Sequence, residues 1–218
     1  MKRLWSLILV LALLAGFCVL SVSCGKDGED GKEDQEKNNY YSDVKKPDLD
    51  ALELSDYVTL GEYKGMTVKV AGVDHEEESV WFRVLDNAEI IAFPEGLVEY
   101  YESQIIAIYE YYAKEKDITL DEALEAHGMS KNEISEEAKE TAREDLVLAA
   151  IIEAEEIELT DEEIDRLFDK YVEEYTAIGY TEYYIRNNLR EIILEIMLRD
   201  KVMEFLLLNN TLDYGTEE

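Results

Sequence analysis

The chain has 218 residues and carries 52 acidic against 21 basic side chains, a net charge of −31 at pH 7. Such a surface makes nucleic acid and anionic lipid headgroups poor partners and basic or unfolded polypeptides better ones. The length allows one sizeable core, or a body with extended arms.

Lys2 and Arg3 precede an apolar run from Leu4 to Val22 that stops at Ser23-Cys24, where polar Gly25-Lys26-Asp27-Gly28 begins. A basic start, an apolar stretch and small residues before a cut make a secretory signal over residues 1–24. Cys24 resembles the lipobox cysteine of bacterial lipoproteins, which receives lipid and becomes the new N-terminus. Ser23 suits the position before the cut, whereas Ser21 stands where an aliphatic residue is usual. Left uncut, the same run is long enough to span a bilayer. Either route places the rest of the chain at the extracytoplasmic face of a bacterial membrane, lipid-anchored if Cys24 is acylated. Cys18 leaves with the leader, so no disulfide pair and no thiolate catalyst remains.

Residues 25–50 are almost without apolar side chains and read as a disordered acidic tether. The acids from Asp27 to Asp34 do not make an EF-hand, because Gly28 and Gly31 miss the position where that loop turns. Residues 57–71 contain the alternation Met66, Val68, Val70 and predict a short strand, with Glu89–Phe93 as its partner in a small two-stranded element. Residues 51–93 thus form a short β/α segment, with a helix over 77–87 that has Val80, Trp81, Val84 and Leu85 on one side.

Helices fill residues 94–214. Pro94 is expected at the first position of a long helix bearing Leu97, Tyr101, Ile105, Ile108 and Tyr112 at helical spacing. Thr119-Leu120-Asp121-Glu122 is a capping box for a short helix ending at Gly128. A longer helix runs from Ser130 or Ser135 to Glu155. Thr160-Asp161-Glu162-Glu163 is a second capping box, whose helix ends at Gly179. A single last helix is expected from Thr181 to about Asn209.

The order of these segments resembles the C-terminal chaperone domain of bacterial trigger factor, whose fold is related to that of the periplasmic chaperone SurA. The resemblance is carried by Phe93-Pro94-Glu95-Gly96-Leu97-Val98, by Leu120-Asp121-Glu122-Ala123-Leu124 with Gly128-Met129-Ser130, and by Leu146–Ile152. Further on it is carried by Glu156–Ile164 and Lys201-Val202-Met203-Glu204-Phe205-Leu206. Tyr57–Gly65 looks like the segment that leads into that family's prolyl-isomerase domain. The resemblance implies a mainly α, arm-bearing chaperone body over 94–214. It does not extend to the family's basic ribosome-binding motif, so no ribosome contact is expected. Too few residues separate Ala71 from Pro94 for an isomerase domain, since an independently folding domain takes ~50 or more.

No other chemistry stands out. His75 and His127 have no companion at metal-ligand spacing, no serine sits in a nucleophile elbow and no glycine-rich loop cradles phosphate, so neither metal nor cofactor is expected. The informative pattern is apolar. At about 100° per residue, Ile185, Leu189, Ile193 and Ile196 share one side of the last helix, and Leu194, Leu198, Phe205 and Leu208 the opposite side. The helix after Pro94 carries a broad Tyr-rich stripe. Tyrosine offers apolar area with a polar tip. Tyr100, Tyr101, Ile105, Ile106, Tyr109, Tyr112, Leu194, Leu198 and Phe205 are therefore the expected contacts for unfolded or nascent exported polypeptides, bound without ATP. The alternatives are a prolyl isomerase with a reduced domain and an interaction module with one partner. Plain core packing is the competing explanation for each residue.

Overall fold

In the computed structural model the described residues are 44–70 and 72–215. The leader 1–24, Cys24 and tether residues 25–43 lie outside them. Leu49, expected in the tether, is buried in a short 3-10 turn, Leu49–Ala51.

Seven α-helices among the described residues confirm the mainly α class: α1 Glu76–Asn87, α2 Leu97–Lys116, α3 Leu120–Ala126, α4 Lys131–Glu155, α5 Asp161–Ala177, α6 Glu182–Asn188 and α7 Arg190–Leu208. Four short strands join them: β1 Val58–Thr59, β2 Thr67–Lys69, β3 Glu89–Ile90 and β4 Thr211–Asp213. They group into two compact units. Glu95–Thr141 belong to the first, and Asp48–Pro94 with Ala142–Glu218 to the second.

In the first unit, α2 packs on α3. The helix begins later than Pro94. Pro94-Glu95-Gly96 turns the chain, and Gly96 is the N-cap at φ 84°, a left-handed conformation that favours glycine. The Thr119 capping box forms as expected, with Glu122 N–H on Thr119 Oγ1 at 3.2 Å and Thr119 N–H on Glu122 Oε2 at 2.8 Å. Helix α4 starts at the earlier of its two expected sites. There Ser130 N–H donates to Glu133 Oε2 at 2.7 Å and Glu133 N–H to Ser130 Oγ at 3.3 Å, a third capping box.

In the second unit, β1 pairs antiparallel with β3, Val58 opposite Ile90 and Thr59 opposite Glu89. The alternating segment takes a different partner. Strand β2 pairs in parallel with β4, Thr67 opposite Thr211, Val68 opposite Leu212 and Lys69 opposite Asp213. Met66, Val68 and Val70 turn inward, and α1 packs on β2 with Val80, Trp81, Val84 and Leu85 buried. Arg143 Nη2 donates to the Leu85 carbonyl at 2.6 Å and so satisfies the C-terminal end of α1.

The expected last helix divides at Leu189. The amides of Asn187 and Asn188 donate to the carbonyls of Tyr183 (2.7 Å) and Tyr184 (3.2 Å). Asparagine's local bonding to backbone disfavours a straight helix. Leu189 is instead drawn into a core with Phe168, Val172, Ile185, Ile193 and Met197. Helices α5, α6 and α7 pack on one another around that core.

Candidate functional site

The expected contact residues fall into different environments. On α2, Tyr101 and Ile105 are only 6% and 5% exposed. Their stripe is core, so in this conformation they offer no contact surface. Tyr100, Ile106, Tyr109 and Tyr112 are half-buried. Tyr109 and Tyr112 pack edge-to-face on His127, with centroids 5.5 Å and 4.6 Å apart, and His127 Nδ1 lies 2.9 Å from the Ala123 carbonyl. Packing within the first unit thus uses much of the tyrosine flank.

On α7, Leu194, Leu198 and Phe205 are also half-buried. The helix is apolar on two sides because it has different neighbours along its length. Ile193 and Met197 belong to the core shared with α5 and α6. Val202, Met203 and Leu206 are buried outside that core, and α7 also packs on α1.

Leu208, at the C-terminal end of α7, is 78% exposed, and further exposed apolar surface lies away from α2 and α7. At the turn between α5 and α6, Ile178 is 41% exposed and Tyr183 77%. Gly179, at φ 108°, makes that turn. Behind it Tyr175 and Tyr180 meet edge-to-face at 5.9 Å, and Tyr180 stacks on Tyr184 at 5.7 Å. Thr181 caps α6 by accepting from Tyr184 N–H at 3.2 Å. The result is a supported aromatic tip with Tyr183 on its outer side. Burial, with the nearby Glu174 charge, pushes the Tyr175 phenol above its usual range. It stays neutral, as an apolar contact requires.

Polar bonds fix the helices that carry this tip. Arg186 spans from Glu182 (Nε, 2.8 Å) to Asp169 of α5 (Nη2, 2.7 Å). The guanidinium carbons of Arg186 and Arg190 lie 5.7 Å and 5.0 Å from the Phe168 ring centre, within cation–π range. Tyr171 donates to Asp200 of α7 at 2.6 Å. Burial first, and that bond second, raise the Tyr171 phenol. At the base of α5, Lys201 Nζ donates to both Glu163 oxygens and to the Glu158 carbonyl.

Sequence reasoning missed Tyr183 and Ile178, although Tyr180, Tyr183 and Tyr184 around a glycine turn were a legible signal. Among the described residues no group of three or more His, Cys, Asp or Glu is placed to hold a metal ion, and no helix is long and apolar enough to cross a membrane. What the arrangement offers is non-covalent apolar and aromatic contact.

The family described as bacterial trigger factor protein C-terminus matches residues 71–208, more than half of the chain. Among curated relatives, trigger factor of Pediococcus pentosaceus is 29% identical over 148 residues, covering 66% of this chain and 33% of that protein. Trigger factor of Acetivibrio thermocellus is 25% identical over 187 residues, covering 77% and 43%. That of Carboxydothermus hydrogenoformans is 32% identical over 136 residues, covering 57% and 32%. The chain therefore spans 32–43% of the length of these relatives. No solved structure matches it significantly. The chain belongs to the bacterial trigger factor C-terminus family.

Proposed function

We propose that this protein is an exported, lipid-anchored holding chaperone that binds unfolded or newly secreted polypeptides without ATP. Membership in the trigger factor C-terminus family supports a chaperone-like role. The observation that carries the contact mode is the aromatic tip, with Tyr183 and Ile178 exposed on a supported tyrosine cluster. Isolated apolar contacts of this kind exchange quickly, which permits release without a nucleotide. Exposed Glu173, Glu174 and Glu182 around the tip favour basic segments.

The anchor is proposed from the leader and Cys24, which also explain the acidic linker that follows as a spacer. Two measurements test the reading. The chain should suppress aggregation of several unrelated unfolded proteins equally with and without ATP, and Tyr183→Ala with Ile178→Ser should weaken that suppression. Labelled palmitate should enter the wild type and not Cys24→Ala; label that persists in the variant rules out acylation at Cys24.

A further inference from the structure

Strand β4 has one edge paired and one edge open. Thr211 N–H donates to the Met66 carbonyl and Val70 N–H to the Asp213 carbonyl, each at 2.8 Å. In a parallel ladder alternate residues face the partner strand. Thr211 and Asp213 therefore turn their amides and carbonyls to β2, and Leu212 turns its own pair the other way. The sheet stops at two strands, and no hydrogen bond to the Leu212 backbone occurs among the described residues. Open edges are commonly blunted by a lysine, a proline or a cover. Strand β2 carries the exposed Lys69, whereas β4 carries no basic residue or proline and leads into Tyr214, which is 51% exposed. Tyr214 is held in place by its hydroxyl on Glu76. Asp213, also exposed, adds a carboxylate beside the edge.

We propose that the open edge of β4 takes an extended segment of an unfolded polypeptide as a third strand. The Leu212 amide and carbonyl supply the main-chain bonds, Tyr214 an apolar contact, and Asp213 a preference for a basic residue in the incoming segment. Strand addition reads backbone rather than sequence, which suits a protein that meets many clients. The edge is short, so the added strand is weak and quickly exchanged. The inference rests on the holding function proposed above and names a second mode of contact for it.

Backbone amide exchange in the full chain tests it, with a soluble synthetic peptide alternating valine and lysine as the probe. At saturating peptide, exchange at Leu212 should slow by about tenfold or more, because its amide becomes hydrogen-bonded. Leu212→Pro removes that donor and keeps the Thr211 and Asp213 bonds to β2, so peptide affinity should fall about fivefold, the worth of one hydrogen bond. If that variant does not fold, exchange in the unaltered chain decides alone. Suppression of reduced-lysozyme aggregation is followed in parallel. Suppression with no slowing at Leu212 overturns the added strand and leaves the holding function standing. Absence of both overturns both.

Discussion

Lys201 Nζ holds both carboxylate oxygens of Glu163, at 2.7 Å and 2.8 Å, and so joins α7 to the first turn of α5. The same carboxylate closes the Thr160 capping box. Lys201 first, and the Thr160 backbone and hydroxyl next, bring the Glu163 carboxyl from its usual 4.5 to about 2. A carboxyl lowered on folding stabilises the fold above its unfolded value and loses that contribution as pH falls through its folded value. The contribution of Glu163 is therefore present above pH 4.5 and drains away between 4.5 and 2. Glu163→Gln should flatten the acid side of the stability curve in that window. Melting temperatures recorded from pH 6 to 2 check this, the expected sign being convergence of the two proteins at the acid end.

The tip and the buried face of α1 should separate function from stability. Tyr183→Ala removes a side chain that is 77% exposed, so melting should be nearly unchanged while suppression of client aggregation falls severalfold. Trp81→Ala empties a site that is 1% exposed and should cost ~3–5 kcal/mol in urea unfolding. A Tyr183→Ala protein that holds clients as well as the wild type would remove the tip from the contact surface.

Glu156 follows α4 at φ 51°, a left-handed conformation that costs a residue with a Cβ. The chain turns there because Ile157 N–H reaches back to the Ile152 carbonyl at 3.0 Å. Glu156→Gly should stabilise the protein by about 0.5–1 kcal/mol, the relief of strain less the entropy glycine adds to the unfolded chain. An upward shift in urea midpoint with unchanged slope is the expected reading.

Gly61 packs where no side chain fits. A Cβ built on it would stand 2.1 Å from the Asn87 carbonyl oxygen, at the C-terminal end of α1. Asn87 is itself tied back, its side-chain amide donating to the Glu62 carbonyl at 2.6 Å. Gly61→Ala should therefore cost about 1–3 kcal/mol, as overpacking does. Thermal unfolding of the single variant measures it.

Local signals carried much of the fold. The boxes at Thr119 and Thr160 need only a hydroxyl and a glutamate three residues apart, and both formed where the sequence placed them. The face of α1 was legible for the same reason, since Val80, Trp81, Val84 and Leu85 lie within three turns. Non-local choices were not. Thr211-Leu212-Asp213 is too short to show a period, and what makes it a strand is β2, far away in the chain. The break at Leu189 depends on a core drawn from three helices, so the residues around it read as one continuous helix. Tyrosines on α2 and at the α5–α6 turn look alike in sequence. Only tertiary packing buries Tyr101 and leaves Tyr183 outside.

The parallel pairing of β2 with β4 also governs when the protein can fold. Met66 N–H reaches Asn210 Oδ1 across 144 positions of the chain, and the ladder beside it closes the second unit. Closing so long a loop is entropically costly, and contacts so far apart in sequence form slowly. During synthesis, residues 95–141 emerge well before β4 does. The helices of that stretch can form early from local contacts, whereas the second unit must wait for Thr211–Asp213 to appear. A chain stopped short of Thr211 would leave Met66, Val68 and Val70 without their partner strand, and would itself be a substrate for a holding chaperone.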